Sequence, residues 1–134
     1  MLKEIGRYYA LPLVGCAIQQ IEYNGMIRLV FADADECAFL DLHGEFQVGI
    51  SDHMTTFSPL QKEALLLFYD WFHADVTIEE AKADKQGQLF LKLSNRQELI
   101  VQDGPFENWH FTILNRQFPS KNLFVHGGVG TTYF

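Results

Sequence analysis

The sequence predicts an α+β fold in which two repeated antiparallel β units form a curved sheet packed on one central helix. Three observations predict it: a weak internal repeat at a spacing of 62 residues, alternating apolar residues in both copies, and a segment with strong helix-start signals between them. The chain has 134 residues, 48% of them hydrophobic, which is enough to build one core without a cofactor. We therefore expect a single domain over residues 1–134.

The first β unit is predicted over residues 14–50. Asn24 and Gly25 suit the positive φ angles of a tight hairpin turn, and the strand after them places Ile27, Leu29 and Phe31 on one face. A third strand is expected at 37–42. Because successive side chains of a strand point to opposite faces, this unit has one apolar face that another element must cover.

The central segment, residues 58–73, carries the strongest local signal in the chain. Ser58 is predicted as the N-cap, Pro59 as the first helical residue, and Gln61 completes a capping box. Apolar residues then recur at three- and four-residue spacing, which predicts a stripe that packs on the sheet. The stripe consists of Leu60, Ala64, Leu65, Phe68, Trp71 and Phe72.

The second β unit is predicted over residues 76–114 and repeats the first, with its own polar-glycine hairpin turn. Its opening segment, residues 77–85, is rich in helix formers and would also extend the central helix, whereas the repeat favours a strand there. After a loop, residues 123–134 are expected to form a C-terminal hairpin that turns at Gly127 and Gly128.

The formal net charge is −7, from 17 Asp and Glu against 10 Lys and Arg. Direct nucleic-acid binding is disfavoured because phosphate contacts need a surplus of basic residues, whereas a basic protein partner is favoured.

Two cysteines without metal-ligand spacing predict neither a disulfide framework nor a zinc site. The apolar run before Cys16 is a poor lipoprotein signal, and no segment reaches membrane-spanning length, so we expect a cytoplasmic protein with no membrane partner.

Acidic residues are concentrated in one stretch of the chain. Between Arg28 and Lys62 there is no Lys or Arg. Like charges that crowd together repel, so a positive partner would relieve them, although acids that simply solvate surface loops explain the stretch as well. As the partner-binding residues we predict five of these acids and one tryptophan, a residue type enriched at interface anchors. They are Asp33, Asp35, Glu36, Glu45, Asp52 and Trp109.

The last quarter of the chain carries a resemblance. The run Phe106-Glu107-Asn108-Trp109, followed by a loop and a closing Leu-Phe-Val-His-Gly-Gly hairpin, resembles a family of small uncharacterised bacterial domains. In that family an acidic residue usually follows the tryptophan, where this chain has His110. The resemblance bears on the fold and implies no catalytic residues.

By class, a small acidic domain without catalytic motifs resembles the immunity proteins of contact-dependent inhibition and related polymorphic toxin systems. That resemblance implies a protein that binds and neutralises a cognate bacterial toxin, often a basic nuclease domain. The acidic side chains would then screen the cationic surface of the toxin.

Two other function classes remain open at this point. A small-ligand-binding module would hold its ligand between sheet and helix, in contact with Tyr69, Trp71 or Trp109. An enzyme would be centred on an Asp, a His and a Glu that share a strand face. One histidine with carboxylates is a poor ligand set, so we predict no catalytic residues and no metal site. That trio is Asp41, His43 and Glu45.

Overall fold

The computed structural model describes residues 2–32 and 36–134, and the strands in these ranges form two antiparallel sheets. One sheet contains the strands β1 (Lys3–Ile5), β2 (Tyr8–Ala10), β6 (Phe46–Ile50), β7 (His53–Phe57), β8 (Ile78–Asp84), β9 (Leu89–Leu93) and β10 (Glu98–Val101). The other contains β3 (Gln20–Tyr23), β4 (Ile27–Ala32), β5 (Glu36–Leu42), β11 (Glu107–Asn115), β12 (Leu123–Gly128) and β13 (Thr131–Tyr133). The order across the seven-stranded sheet is β1-β2-β8-β9-β10-β6-β7, and the order across the six-stranded sheet is β13-β12-β11-β5-β4-β3. The helices are α1 (Lys62–His73) and a 3-10 turn (Pro119–Lys121).

The two sheets share one hydrophobic core. Leu29 and Leu40 of the six-stranded sheet belong to the same buried cluster as Leu91 and Leu99 of the seven-stranded sheet, and each is at most 3% exposed. The predicted single curved sheet on a central helix is therefore wrong. Each one-sided sheet is covered chiefly by the other, because two sheets bury more apolar surface against each other than a 12-residue helix covers.

The internal repeat takes the form of an exchange of strands between the sheets. In each half three consecutive strands form a meander, β3-β4-β5 in the first half and β8-β9-β10 in the second. The next strand then crosses to the other sheet, so that β6 pairs with β10 and β11 pairs with β5. Each half thereby completes the sheet of the other.

Helix α1 begins at Lys62, later than predicted. The predicted capping residues instead form a turn before it, in which the Ser58 backbone N–H donates to Gln61 Oε1 at 2.8 Å. No helix among the described residues is long and apolar enough to cross a bilayer. Helix α1 packs against the core through fewer residues than the predicted stripe contains. The buried members of the stripe are Ala64, Phe68 and Trp71, and the exposed ones are Leu60 and Phe72.

Residues 77–85, for which helix and strand were both open, contain strand β8. Ala81 and Ala83 point into the core, while Lys82 between them projects from the opposite face. Pairing with β2 and β9 on either side outweighs the helix propensity of this segment.

The C-terminal strands β12 and β13 form a hairpin whose turn differs from the predicted one. The turn lies at Val129 and Gly130, which have φ angles of 55° and 77°, and not at Gly127 and Gly128. Positive φ at both central residues is the geometry that matches the twist of paired strands.

Asn108 ties together the two connections that cross between the sheets. Its carbonyl accepts hydrogen bonds from the backbone N–H groups of His43 and Gly44, in the connection from β5 to β6. Its side-chain amide donates to the carbonyl of Gln102, in the connection from β10 to β11, at 2.9 Å. The two exchange points of the repeat therefore meet at one residue.

Trp109 is fully buried, with 0% of its surface exposed. Its indole N–H donates to the carbonyl of Gly87 at 3.0 Å, and its ring lies against Gly127, which leaves no room for a side chain there. The expectation that Trp109 anchors a partner at the surface is therefore wrong. Alternation along β11 directs this residue into the core and the neighbouring His110 outward.

Candidate functional site

A row of polar side chains crosses five strands on the outer face of the six-stranded sheet. Strand pairing places each member directly opposite the next, while neighbours in the chain such as Trp109 and Val125 point into the core. Directly opposed residues of antiparallel strands project from the same face, so these side chains are neighbours. This polar row consists of Arg28, Asp41, His110, His126 and Tyr133.

Glu107 joins the polar row because of a β-bulge. In a regular strand residues three apart project from opposite faces, which would separate Glu107 from His110. The register of β11 against β12 shifts at Asn108, and this extra residue turns Glu107 to the outer face. Glu107 Oε2 lies 2.7 Å from His110 Nε2 and 3.9 Å from His126 Nδ1. Its other oxygen accepts a hydrogen bond from the Tyr133 hydroxyl.

Three imidazole rings lie side by side in this region. His43 directly follows β5, and the hydrogen bond from its N–H to the Asn108 carbonyl, 2.9 Å long, holds it beside β11. The His110 ring centroid is 4.5 Å from that of His43 and 4.3 Å from that of His126. Tyr133 stacks on His126 at 5.2 Å, which extends the run to four rings.

Asp41 is bound by Arg28. The guanidinium Nε and Nη2 donate to the two carboxylate oxygens at 2.7 and 3.0 Å, and Asp41 is only 5% exposed. Hydrogen bonding to Asp41 raises the pKa of Arg28 above its ordinary value. The guanidinium also lies 4.7 Å from the centroid of the Phe39 ring. The charge of Asp41 is thus compensated within the chain.

The two outer imidazoles of the stack have lowered pKa values. Desolvation by neighbouring groups lowers the pKa of both His43, whose side chain is otherwise exposed, and half-buried His126 below the ordinary value of 6.5, and the nearby His110 lowers it further. Glu107 opposes this change at both histidines, and Asp41 opposes it at His43, with smaller effects than burial. Both rings therefore favour the neutral form, in which a ring nitrogen has a free lone pair.

The same pKa changes predict how stability depends on pH. We expect the free energy of unfolding to decrease as the pH falls below about 6.5 in EDTA-containing buffer. His43 and His126 have folded-state pKa values below their unfolded ones, so the unfolded chain binds more protons in this range. Their stabilising contribution is complete above about pH 6.5 and is lost as the pH falls through the folded pKa values. Urea unfolding at a series of pH values measures it.

Two variants separate this effect from general acid destabilisation. The double variant His43→Gln/His126→Gln should depend less steeply on pH below about 6.5 than the wild type. His53→Gln, which changes an exposed histidine of β7, should keep the wild-type slope. A double variant with an unchanged slope would contradict the assignment.

Two overlapping groups in this region have the spacing of metal ligands. In one group, a donor atom from each of Glu107, His110 and His126 lies within 4.8 Å of the other two. In the other, Asp41 and His43 meet the same His110. Asp41 and His43 belong to the trio predicted from the sequence. Its third residue, Glu45, is in neither group.

The sequence reasoning missed the residues from β11 and β12. Alternation alone would place His110 outward, but its contact with His126 depends on strand pairing, and Glu107 reaches the same face only through the bulge. The one signal that the sequence offers is the histidine at position 110.

The three predicted acidic residues that the structure describes, Glu36, Glu45 and Asp52, do not gather into one surface. Glu36 begins β5 and Glu45 follows its other end, so about 20 Å of strand separates the two ends at 3.3 Å per residue. Asp52 lies in the turn after β6, at the end of that strand away from Glu45. All three are exposed. Two further predicted residues, Asp33 and Asp35, lie outside the described residues.

The aromatic residues expected to line a ligand cavity are separated. Trp71 is 5% exposed, and its indole N–H donates to Gln97 Oε1 at 2.9 Å. Trp109 is buried, while Tyr69 lies on the exposed side of α1 with 46% of its surface accessible. Core packing, not ligand contact, accounts for both tryptophans.

An apolar patch lies beside the polar row on the same outer face. Phe39 is opposite Thr112, and Thr112 is opposite Phe124, so these side chains form the next row across the sheet. Leu114 lies diagonally next to them. Phe124 is 51% exposed and Leu114 is 37% exposed. We call Phe39, Leu114 and Phe124 the apolar patch.

The outer face of the seven-stranded sheet is different. There Glu80 is opposite Lys92, and Lys92 is opposite Glu98, so charges alternate in sign across the strands. Lys82 Nζ also pairs with Glu80 Oε1 at 2.7 Å. Charges that compensate one another suit a face in contact with water. The stack of three imidazole rings therefore distinguishes the outer face of the six-stranded sheet.

Comparison with protein-family models, curated proteins and solved structures found no match to this chain.

Proposed function

We propose that this protein binds a partner protein through the outer face of the six-stranded sheet, and that the partner is a bacterial toxin which it neutralises. The observation that carries the proposal is the apolar patch next to the polar row. Exposed aromatic and aliphatic side chains grouped on one open face mark protein interaction sites. An apolar centre flanked by polar groups is also the usual composition of an interface.

The charge of the chain supports a basic partner, such as a nuclease domain. A net charge of −7 attracts a cationic protein over distances of about 10 Å and raises the association rate at low salt. Because Glu36, Glu45 and Asp52 lie at different ends of their strands, the attraction comes from the whole molecule, whereas short-range contacts come from the sheet face. The cytoplasmic location expected of an immunity protein likewise belongs to this proposal.

The test uses the full chain and the C-terminal domain of a large secreted protein encoded beside its gene. We expect the two to bind in calorimetry and the chain to restore growth of bacteria that express the domain. Phe124→Ser should weaken binding about tenfold, because truncated aromatic residues at an interface cost more than about 1 kcal/mol.

Ile50→Ser is the matched control, since Ile50 is 52% exposed, as much as Phe124, but belongs to the seven-stranded sheet. It should bind like the wild type. Equal weakening by both substitutions, or no binding by the wild-type chain, would count against the proposal.

A further inference from the structure

We infer that Glu107, His110 and His126 form a binding site for a divalent transition-metal ion, of which Zn²⁺ is the representative. His110 and His126 are directly opposed on β11 and β12, and the bulge brings Glu107 to the same face. One donor atom from each residue lies within 4.8 Å of the other two. Two imidazoles and a carboxylate are a donor set that zinc accepts. This site does not depend on the toxin proposal.

The donor atoms are close to the spacing that a bound ion requires. Metal bonds of 2.0–2.1 Å in a tetrahedron set neighbouring donor atoms about 3.3 Å apart. Glu107 Oε2 lies 2.7 Å from His110 Nε2 and 3.9 Å from His126 Nδ1, so the two distances lie on either side of that value. Each of these two distances differs from the tetrahedral value by about 0.6 Å.

His126 contributes a nitrogen that has no hydrogen-bond partner in the part of the chain that the structure describes. Its Nδ1 is shielded from solvent and forms no hydrogen bond to any described residue. A buried polar atom without a partner is destabilising. The same atom is the one that faces Glu107, so an ion between them would satisfy it.

Tyr133 supplies the support that metal-binding carboxylates usually have. Its hydroxyl donates to Glu107 Oε1, which leaves Oε2 for the ion and fixes the orientation of the carboxylate. Its ring also stacks on His126, with centroids 5.2 Å apart. One residue thus positions two of the three ligands.

The second group with ligand spacing is a weaker candidate. Both carboxylate oxygens of Asp41 already accept hydrogen bonds from Arg28, at 2.7 and 3.0 Å. An ion there would have to displace a guanidinium. The Glu107 group has no cation in place of the ion among the described residues. Its three ligands would leave a four-coordinate ion with one position for water or for a group of a partner.

The internal repeat provides a comparison within the same chain. The repeat aligns Leu29 with Leu91, and strand pairing then carries the alignment across each sheet. The fold does not itself require charged or imidazole side chains in this row, because the corresponding row of the seven-stranded sheet lacks them. Residues aligned with Arg28, Asp41, His110 and His126 are, in order, Phe90, Ile100, Gln47 and Thr56.

The experiment is a calorimetric titration of the EDTA-treated full chain with ZnCl₂. We expect one equivalent to bind, and His126→Gln to weaken binding at least about tenfold. Tyr133→Phe keeps all three ligands but frees the carboxylate, and should weaken binding to a lesser extent. His53→Gln, outside the cluster, should bind like the wild type.

Nitrogen-15 NMR of the wild-type histidines gives a readout that needs no variant. On addition of ZnCl₂, the Nδ1 resonance of His126 should shift while those of His53 and His73 do not. The inference is overturned if the wild type binds no zinc, if His126→Gln binds as tightly as the wild type, or if Cys37→Ser removes the binding instead. A zinc-induced shift confined to histidines outside the cluster overturns it as well.

Discussion

Trp109→Ala is expected to lower the free energy of unfolding by about 4 kcal/mol. The indole is completely buried between the sheets and is the largest of the fully buried side chains among the described residues. Its removal leaves a cavity and takes the hydrogen-bond donor from the Gly87 carbonyl. Since domains of this size are stable by about 5–15 kcal/mol, much of the stability would be lost. Urea unfolding followed by fluorescence and circular dichroism measures the change.

Gly127→Ala tests the same contact from the other side. A Cβ atom at position 127 would lie 2.1 Å from the Trp109 ring, so we expect a loss of about 2 kcal/mol or more from overpacking. In a Trp109→Ala background the same substitution should cost much less, because the clash is gone. If the losses in free energy of unfolding add up in the double variant, the contact between position 127 and the Trp109 ring is not the one described here.

Arg28→Met is expected to cost about 2–3 kcal/mol, because it leaves the buried carboxylate of Asp41 without its cation. Fully buried pairs lose about 3–5 kcal/mol when one partner is removed, and the smaller value follows from the 34% exposure of the Arg28 side chain. The double variant Arg28→Met/Asp41→Leu should regain much of the loss, since it no longer buries a charge. Urea unfolding at neutral pH measures both.

Lys82→Met is the matched control for this prediction. Lys82 forms its ion pair with Glu80 at the same distance of 2.7 Å, but Glu80 is 50% exposed. We expect a change of no more than about 0.5 kcal/mol, because exposed ion pairs contribute little. Equal losses in the two single variants would show that burial of Asp41 has no special role.

Local signals were enough to predict the first hairpin of each β unit and the region of the helix, but not the position of the C-terminal turn. Asn24 and Gly25 do lie between two paired strands, because the required backbone angles are a property of the turn residues themselves. The repeat correctly favoured a strand at residues 77–85. A hairpin turn can be predicted because it depends on residues next to one another in the chain. The repeat can be used because it relates residues in equivalent positions of the two halves.

The arrangement of the sheets could not be read from such signals. Alternation in β6 and β11 defines an apolar face but not the sheet that the strand joins, so the exchange was missed and one curved sheet was predicted. A single sheet needs the helix as its cover, so the predicted buried stripe of the helix is too wide. It includes Leu60 and Phe72, which are exposed.

The candidate site depended on the same non-local pairings. Asp41, His110 and His126 are far apart in the sequence and meet only because β5, β11 and β12 are neighbours. The bulge at Asn108, which reverses the direction of Glu107, has no simple sequence pattern. Asp41 lies in the stretch without Lys or Arg, but its partner Arg28 precedes it by 13 residues, at the start of that stretch.

The exchange of strands has a consequence for synthesis of the chain on the ribosome. Strand β5 emerges early but has to wait for β11, which is made after α1 and three further strands of the second half. Until then the nascent first half has an unsatisfied edge and an uncovered apolar face, a state prone to aggregation. Folding of the six-stranded sheet can finish only after β11 has been synthesised, and a truncated product that stops after α1 would leave its first sheet open to association with other chains.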